Sequence, residues 1–234
     1  MIIAEQMEQG SEAWFNIRKG RATASEFNKI LTAGGKLSSS SEKYMQKLTR
    51  ECLMDDPHEF MGNKFTDWGN DMEPEAREFF QLQTGLKVAE VGFVARQDGA
   101  PIGCSPDGLV WADGELEYDA GLEIKCPQVD THVGYVMAGV LPNAYKLQVH
   151  GSMAVTGLNS WYFISYFPGL NPLILKVERD EFTELVSNTL DMFVIRYAGE
   201  REQILDAILP QLESHVTDVG SVDEDLELEV EGLI

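Results

Sequence analysis

Cysteine is scarce in this chain of 234 residues: Cys52, Cys104 and Cys126 are an odd number and form no CxxC pair. That excludes a disulfide framework and a zinc cage, and it suits a reducing compartment. No apolar run approaches the roughly 18 residues needed to cross a bilayer. The opening MIIAEQMEQG has no basic segment leading into an apolar stretch, so no export signal is expected and the cytoplasm is the expected compartment. Self-similar periods and Pro- or Ser-rich linkers are missing too, and the one low-complexity patch is the serine run at 38–41.

Basic side chains are also in short supply, with 18 Lys and Arg against 39 Asp and Glu and a formal net charge of −21. On average such a chain repels nucleic acid and anionic membrane. A non-enzymatic protein that mimics DNA would show the same balance. The shortage is uneven, however: residues 16–50 hold eight bases and two acids, whereas residues 202–234 hold ten acids and no base. The expected organisation is a single domain over residues 1–215 and an acidic C-terminal tail over 216–234.

What is present is ordinary globular material, 44% hydrophobic and 9% aromatic, enough to bury a core without staples. Tyr44, Met45, Leu48 and Cys52 recur at helical spacing and predict a serine-capped amphipathic helix over 41–54. Trp68, Met72, Ala76, Phe79 and Phe80 predict another over 66–84, ended by Gly85. Short β-like runs follow at 87–95, 108–111 and 121–126, with turn material at 112–114. A helix over 143–156, strands at 160–167 and 172–178, and a helix from 180 to 209 stopped near Pro210 complete the order. An α/β fold with a small mixed central β-sheet flanked by helices is the simplest packing for it.

The stretch 103–127, GCSPDGLVWADGELEYDAGLEIKCP, carries the chemistry. In a strand, Glu123 and Lys125 share one face while Leu122, Ile124 and Cys126 share the other. Alone, that pattern equally describes a half-exposed strand with a solvated charged side, and Pro106-Asp107-Gly108 alone is a turn. Together they can bring two carboxylates and one amine to a single point. Two clustered carboxylates repel unless a hard cation such as Mg²⁺ makes them oxygen ligands, with the Ile124 carbonyl free to add a third. Lys125 would then orient a water or stabilise the transition state at a phosphodiester. Glu73 flanks the apolar stripe of its helix beside Met72, as an inward-leaning carboxylate that wants a cation or a donor.

These blocks resemble the phage lambda exonuclease (YqaJ-type viral recombinase) family within the PD-(D/E)xK nuclease superfamily. The likeness rests on Trp14, Arg18, Gly20, Thr23, Ala24, Ser25 and Glu26; on Trp68, Gly69 and Glu73; on CSPDGL at 104–109 and LEIKCP at 122–127; and on Ala144, Tyr145, Gln148 and Val149. Their order matches throughout, over about residues 10–180. The resemblance implies a restriction-endonuclease-like core, with Asp107, Glu123, Ile124 and Glu73 holding metal and Lys125 as the catalytic lysine. It also implies that Arg18 and Ser25 hold a terminal 5′-phosphate, with Ser105 and Gln148 in support. The implied cofactor is Mg²⁺, two ions, with Mn²⁺ as a substitute. The implied activity is 5′-to-3′ exonuclease digestion of linear double-stranded DNA to 5′-mononucleotides and a 3′ single-stranded overhang. A ring-shaped homotrimer and a single-strand annealing protein are the implied partners. An endonuclease or junction resolvase using the same metal site is the competing reading. His58, His132, His150 and His215 lack ligand spacing and read as surface or satisfied core residues. Three cysteines are too few for an iron–sulfur nuclease.

Overall fold

The computed structural model describes residues 1–4, 7–53, 64–111 and 117–217, with side chains left aside at 64–67, 70 and 208–217. The chain divides into two compact units, Met1–Ile195 and Arg196–Ile234. The first contains two mixed β-sheets and the helices that flank them.

Its elements run β1 (Ile2–Ala4), α1 (Glu12–Arg18), β2 (Ala22–Thr23), a 3₁₀ helix (Ala24–Lys29), α2 (Ser41–Leu53), α3 (Lys64–Thr84), β3 (Lys87–Ala89) and β4 (Phe93–Ala95). They continue with β5 (Ile102–Cys104), β6 (Gly108–Trp111), β7 (Ala120–Lys125), α4 (Val129–Ala138), α5 (Asn143–Thr156), β8 (Ser160–Ser165) and β9 (Leu173–Glu178). The last helix, α6 (Glu181–Thr217), begins in the first unit, and its residues from Arg196 onward belong to the second.

One sheet has the order β1-β4-β5-β2, the other β3-β6-β7-β8-β9. In the larger sheet β7 and β8 are parallel and the remaining pairs antiparallel. The alternation expected of β7 is realised: Leu122 and Ile124 are buried with Ala76 and Phe80 of α3, and Cys126 packs against the same cluster. On the opposite face, where Glu123 pairs in register with Phe163, the Phe163 ring lies 5.4 Å from that of Tyr145 on α5. Helices therefore cover the central strands on both sides, as the apolar patterns require.

Several differences from the sequence reading have local causes. The run 87–95 is two strands in different sheets; the chain passes between them at Gly92, where a Cβ would stand 2.1 Å from the Met7 carbonyl oxygen. β1, β2 and β5 have only two or three residues each, too few to show alternation. α4 has no counterpart in the predicted order, because Val129, Val133 and Met137 lie on an exposed stripe among small and polar residues. α6 does not stop at Pro210 but continues to Thr217; proline disfavours a helix interior without forbidding it. Cys52 is exposed, while Tyr44, Met45 and Leu48 of its stripe are buried. α3 ends at Gly85, which takes a φ of +72° that a side chain would resist. The turn at 112–114 and tail residues 218–234 lie outside the described residues. Among the described residues no helix is long and apolar enough to cross a membrane.

Candidate active site

β6 and β7 pair antiparallel with Gly108 opposite Leu122, so one step further Asp107 stands opposite Glu123. The backbone fixes this juncture twice: the Asp107 N–H donates to the Leu122 carbonyl at 3.1 Å, and the Ile124 N–H donates to Asp107 Oδ2 at 2.6 Å. Lys125 Nζ lies 2.5 Å from Glu123 Oε1. Asp107, Glu123 and Lys125 thus meet at one point beyond the start of β6.

Glu123 is not on a solvated face; it is 1% exposed. Apart from the Lys125 ammonium, neither of its carboxylate oxygens meets a donor among the described residues. Burial pushes the Glu123 carboxyl up to about 8, with Lys125 offsetting part of the rise and Asp107 and Glu73 adding to it. The Asp107 carboxyl is raised by burial as well, against the pull of Lys125 and the Ile124 N–H. For Lys125, burial favours the neutral amine, but Glu123 and Asp107 outweigh it and hold the ammonium charged. Its Nζ also sits 5.4 Å from the centre of the Tyr145 ring.

Glu73 approaches from α3. Its carboxylate pairs with Arg77 one turn on at 2.5 Å, and burial and then the charge of Asp107 raise it to about 7. Arg77, which sequence reasoning missed, ties this corner together: Nε donates to the Asp107 carbonyl at 3.2 Å and Nη1 pairs with Glu90 at 3.0 Å. Its spacing from Glu73, i+4 on a predicted helix, was the available signal.

Among the described residues, no three His, Cys, Asp or Glu side chains are gathered tightly enough to hold a metal as they stand. The reason is visible in their partners: Lys125 takes Glu123, and Arg77 takes Glu73. The donor set still suits a hard cation. It offers all-oxygen ligands, mutually repelling carboxylates and a buried glutamate short of donors. The Ile124 carbonyl lies along the same strand edge as its N–H, the edge where Asp107 stands.

A second constellation begins two residues before Asp107. Ser105 Oγ accepts from Arg18 Nη1 and from Trp14 Nε1, each at 2.9 Å. Arg18 Nη2 reaches Thr23 Oγ1 at 3.3 Å, and that hydroxyl is 3.4 Å from Ser25 Oγ. The fold therefore joins Arg18, Ser25 and Ser105, with Trp14 and Thr23 as links that the sequence reading had not placed in the site. The guanidinium also lies 4.0 Å over the Trp14 ring. Burial lowers the Arg18 pKa, against the pull of nearby anionic groups. Gln148 is half-buried on α5, three residues beyond Tyr145 and hence on the same helix side as the ring that faces Lys125.

Other candidates resolve as packing. His132 bonds to Ser165 Oγ and the Asn171 carbonyl, and His150 to Thr183 Oγ1, so both are buried and partnered. His58 and the side chain of His215 lie outside the described residues. Trp161, Phe163 and Tyr166 are core. Cys104 is buried with its thiol pushed up to about 12 by desolvation, which makes it inert.

A family model described as a YqaJ-like viral recombinase domain matches residues 13–159. The alkaline exonuclease LHK-Exo of Laribacter hongkongensis has a similar crystal structure, 29% identical with a TM-score of 0.72, covering 88% of this chain and 100% of its own. A crystal structure of LHK-Exo in complex with dAMP matches at 29% identity and a TM-score of 0.73, over 86% of this chain and 100% of the other. A phage-related exonuclease from Haemophilus somnus 129PT shares the fold at 15% identity and a TM-score of 0.58, over 80% and 96%. No curated protein matches the sequence.

Proposed function

This chain belongs to the family of YqaJ-like viral recombinase domains, and from that membership we propose that it is a Mg²⁺-dependent deoxyribonuclease that digests linear duplex DNA from its 5′ ends. The observation that carries the reading is the convergence of Asp107, Glu123 and Lys125 two residues from the Arg18, Ser25 and Ser105 network. Two residues of extended chain span about 7 Å, comparable to one nucleotide of a DNA strand. A terminal phosphate on Arg18 and Ser25 would bring the next phosphodiester to the carboxylates, which accounts for release of mononucleotides. The relative LHK-Exo, crystallised with dAMP, supports that product class.

In this mechanism Asp107, Glu123 and the Ile124 carbonyl would hold the cation, and Glu73 would complete the acidic group. Bound Mg²⁺, with two ions expected and Mn²⁺ as a replacement, would supply Lewis-acid polarisation of the phosphodiester and a lowered pKa for a water. Lys125, which the buried carboxylates hold as an ammonium, would donate to the phosphoryl oxygens as charge builds there. Arg18 forks onto the terminal phosphate, Ser25 and Ser105 donate hydroxyls, and Gln148 adds an amide near the scissile group. A ring-shaped homotrimer, a single-strand annealing partner and a cytoplasmic setting complete the proposal by analogy with the family.

Blunt linear duplex carrying a 5′ or a 3′ label tests it, in Mg²⁺ and in EDTA, beside a closed circle. The expected result is early loss of the 5′ label, an intact circle and no digestion in EDTA. Early loss of the 3′ label would refute the polarity, and a cut circle would favour an endonuclease.

A further inference from the structure

α2 presents Lys43, Lys47 and Arg50 at i, i+4 and i+7, one stripe along the helix. With Lys29 of the 3₁₀ helix they line a cavity of about 580 Å³ beside Tyr44. Lys29 and Lys47 share Glu26, at 2.5 and 3.1 Å, and Lys47 also meets Glu51 at 3.4 Å. Lys43 and Arg50 are exposed and have no ion pair among the described residues. Among the described residues four cations face two carboxylates here, in a chain whose net charge is −21. Like charges held together raise the energy of the free protein and are relieved by a bound anion.

The shape of the cationic stripe favours a strand over a single phosphate. Seven residues of helix rise about 10 Å, the length of three stacked nucleotides at roughly 3.4 Å each. Position narrows the choice further. From Asp107 the backbone leads two residues back to Ser105, whose hydroxyl accepts from Arg18, and Arg18 in turn reaches Thr23. Thr23 then meets the Tyr44 hydroxyl through its N–H at 3.4 Å, and Ser25 leads to Glu26 and Lys47. The proposed catalytic cluster and the basic recess are thus opposite ends of one series, with the proposed terminal-phosphate site between them.

We propose that the recess lined by Lys29, Lys43, Lys47 and Arg50 holds the backbone of the undigested complementary strand, the 3′ single-stranded overhang. This rests on the exonuclease reading above. The strand being cut runs from Arg18 toward Glu123, so beyond its terminal phosphate it has no nucleotides to offer. Its complement is the polyanion left on that side.

Fluorescence anisotropy on the full chain in EDTA tests this, with a 5′-phosphorylated duplex bearing a 3′ overhang and a blunt duplex of equal base pairs. Wild type should prefer the overhang. Lys43→Ala with Arg50→Ala should weaken overhang binding about tenfold, leave blunt binding little changed, and reduce the salt slope on the overhang by about 1.4, or 0.7 for each lost contact. The charge-conserving pair Lys43→Arg with Arg50→Lys should keep the preference, and thermal melts should show all three folded. Equal weakening on both DNAs, an unchanged slope, or no preference in wild type would overturn the proposal. If wild type still digests from the 5′ end under such an outcome, the nuclease reading stands and the overhang site alone is lost.

Discussion

At the residue scale, the Glu123 and Glu73 carboxyls are raised to about 8 and about 7, because burial, more than any neighbour, disfavours their charge. A raised carboxyl pKa stabilises the fold below the unfolded value near 4.5, and that contribution is lost as pH rises through the folded value. Melting temperature in EDTA should therefore fall between pH 5 and pH 9. Added Mg²⁺ should recover most at the upper end, because the cation and the protons compete for the same oxygens. Calorimetric Mg²⁺ affinity should strengthen over the same interval; a flat profile would show that these carboxylates are not the ligands. Only part of this was legible beforehand. The sequence pattern paired Glu123 with Lys125, but ordinary alternation allowed a wet face, and burial of Glu123 follows only from α5 covering the sheet. The i+4 spacing of Arg77 from Glu73 was a sequence signal for their pairing, but its second target, the Asp107 backbone carbonyl 30 positions away, leaves no mark in the sequence.

At the scale of elements, β7 is the beam on which the site is built, and its position depends on close contact with β8. Gly121 stands in register with Trp161, and a Cβ there would lie 2.3 Å from the indole ring, which is itself fully buried. Gly121→Ala should destabilise the chain by about 1–3 kcal/mol, a drop of several degrees in a thermal melt at this chain length. Activity should fall with it, since Glu123 is two residues away on the same face. An unchanged melting temperature would mean that the strands separate without cost. Longer elements were readable from sequence: the periodic helices α2, α3 and α5 fall close to their predicted bounds. The small second sheet was not, because pairs such as β2 with β5 join segments of two or three residues some 80 positions apart. Such pairing is set by tertiary contact, not by local pattern.

At the scale of the whole molecule, charge is the feature most at odds with binding DNA. The chain carries −21 overall, and residues 218–234 alone contain seven acids and no base. Ending the chain after Thr217 should raise affinity for DNA a few-fold at low ionic strength. The gain should vanish at about 0.5 M salt, where screening shortens to a few ångströms. An equal gain at both salt concentrations would point to a specific competing contact instead. The central claim, that Asp107, Glu123 and Lys125 act together on a phosphodiester, is tested most directly by mononucleotide release from linear 5′-phosphorylated duplex. Wild type, Asp107→Asn, Glu123→Gln and Lys125→Ala should be compared at equal folded concentration, with and without Mg²⁺. The account predicts release by wild type only with the metal, and a loss of about 10²–10³ or more in each variant. Any of the three within twofold of wild type, or release that persists in EDTA, would contradict it.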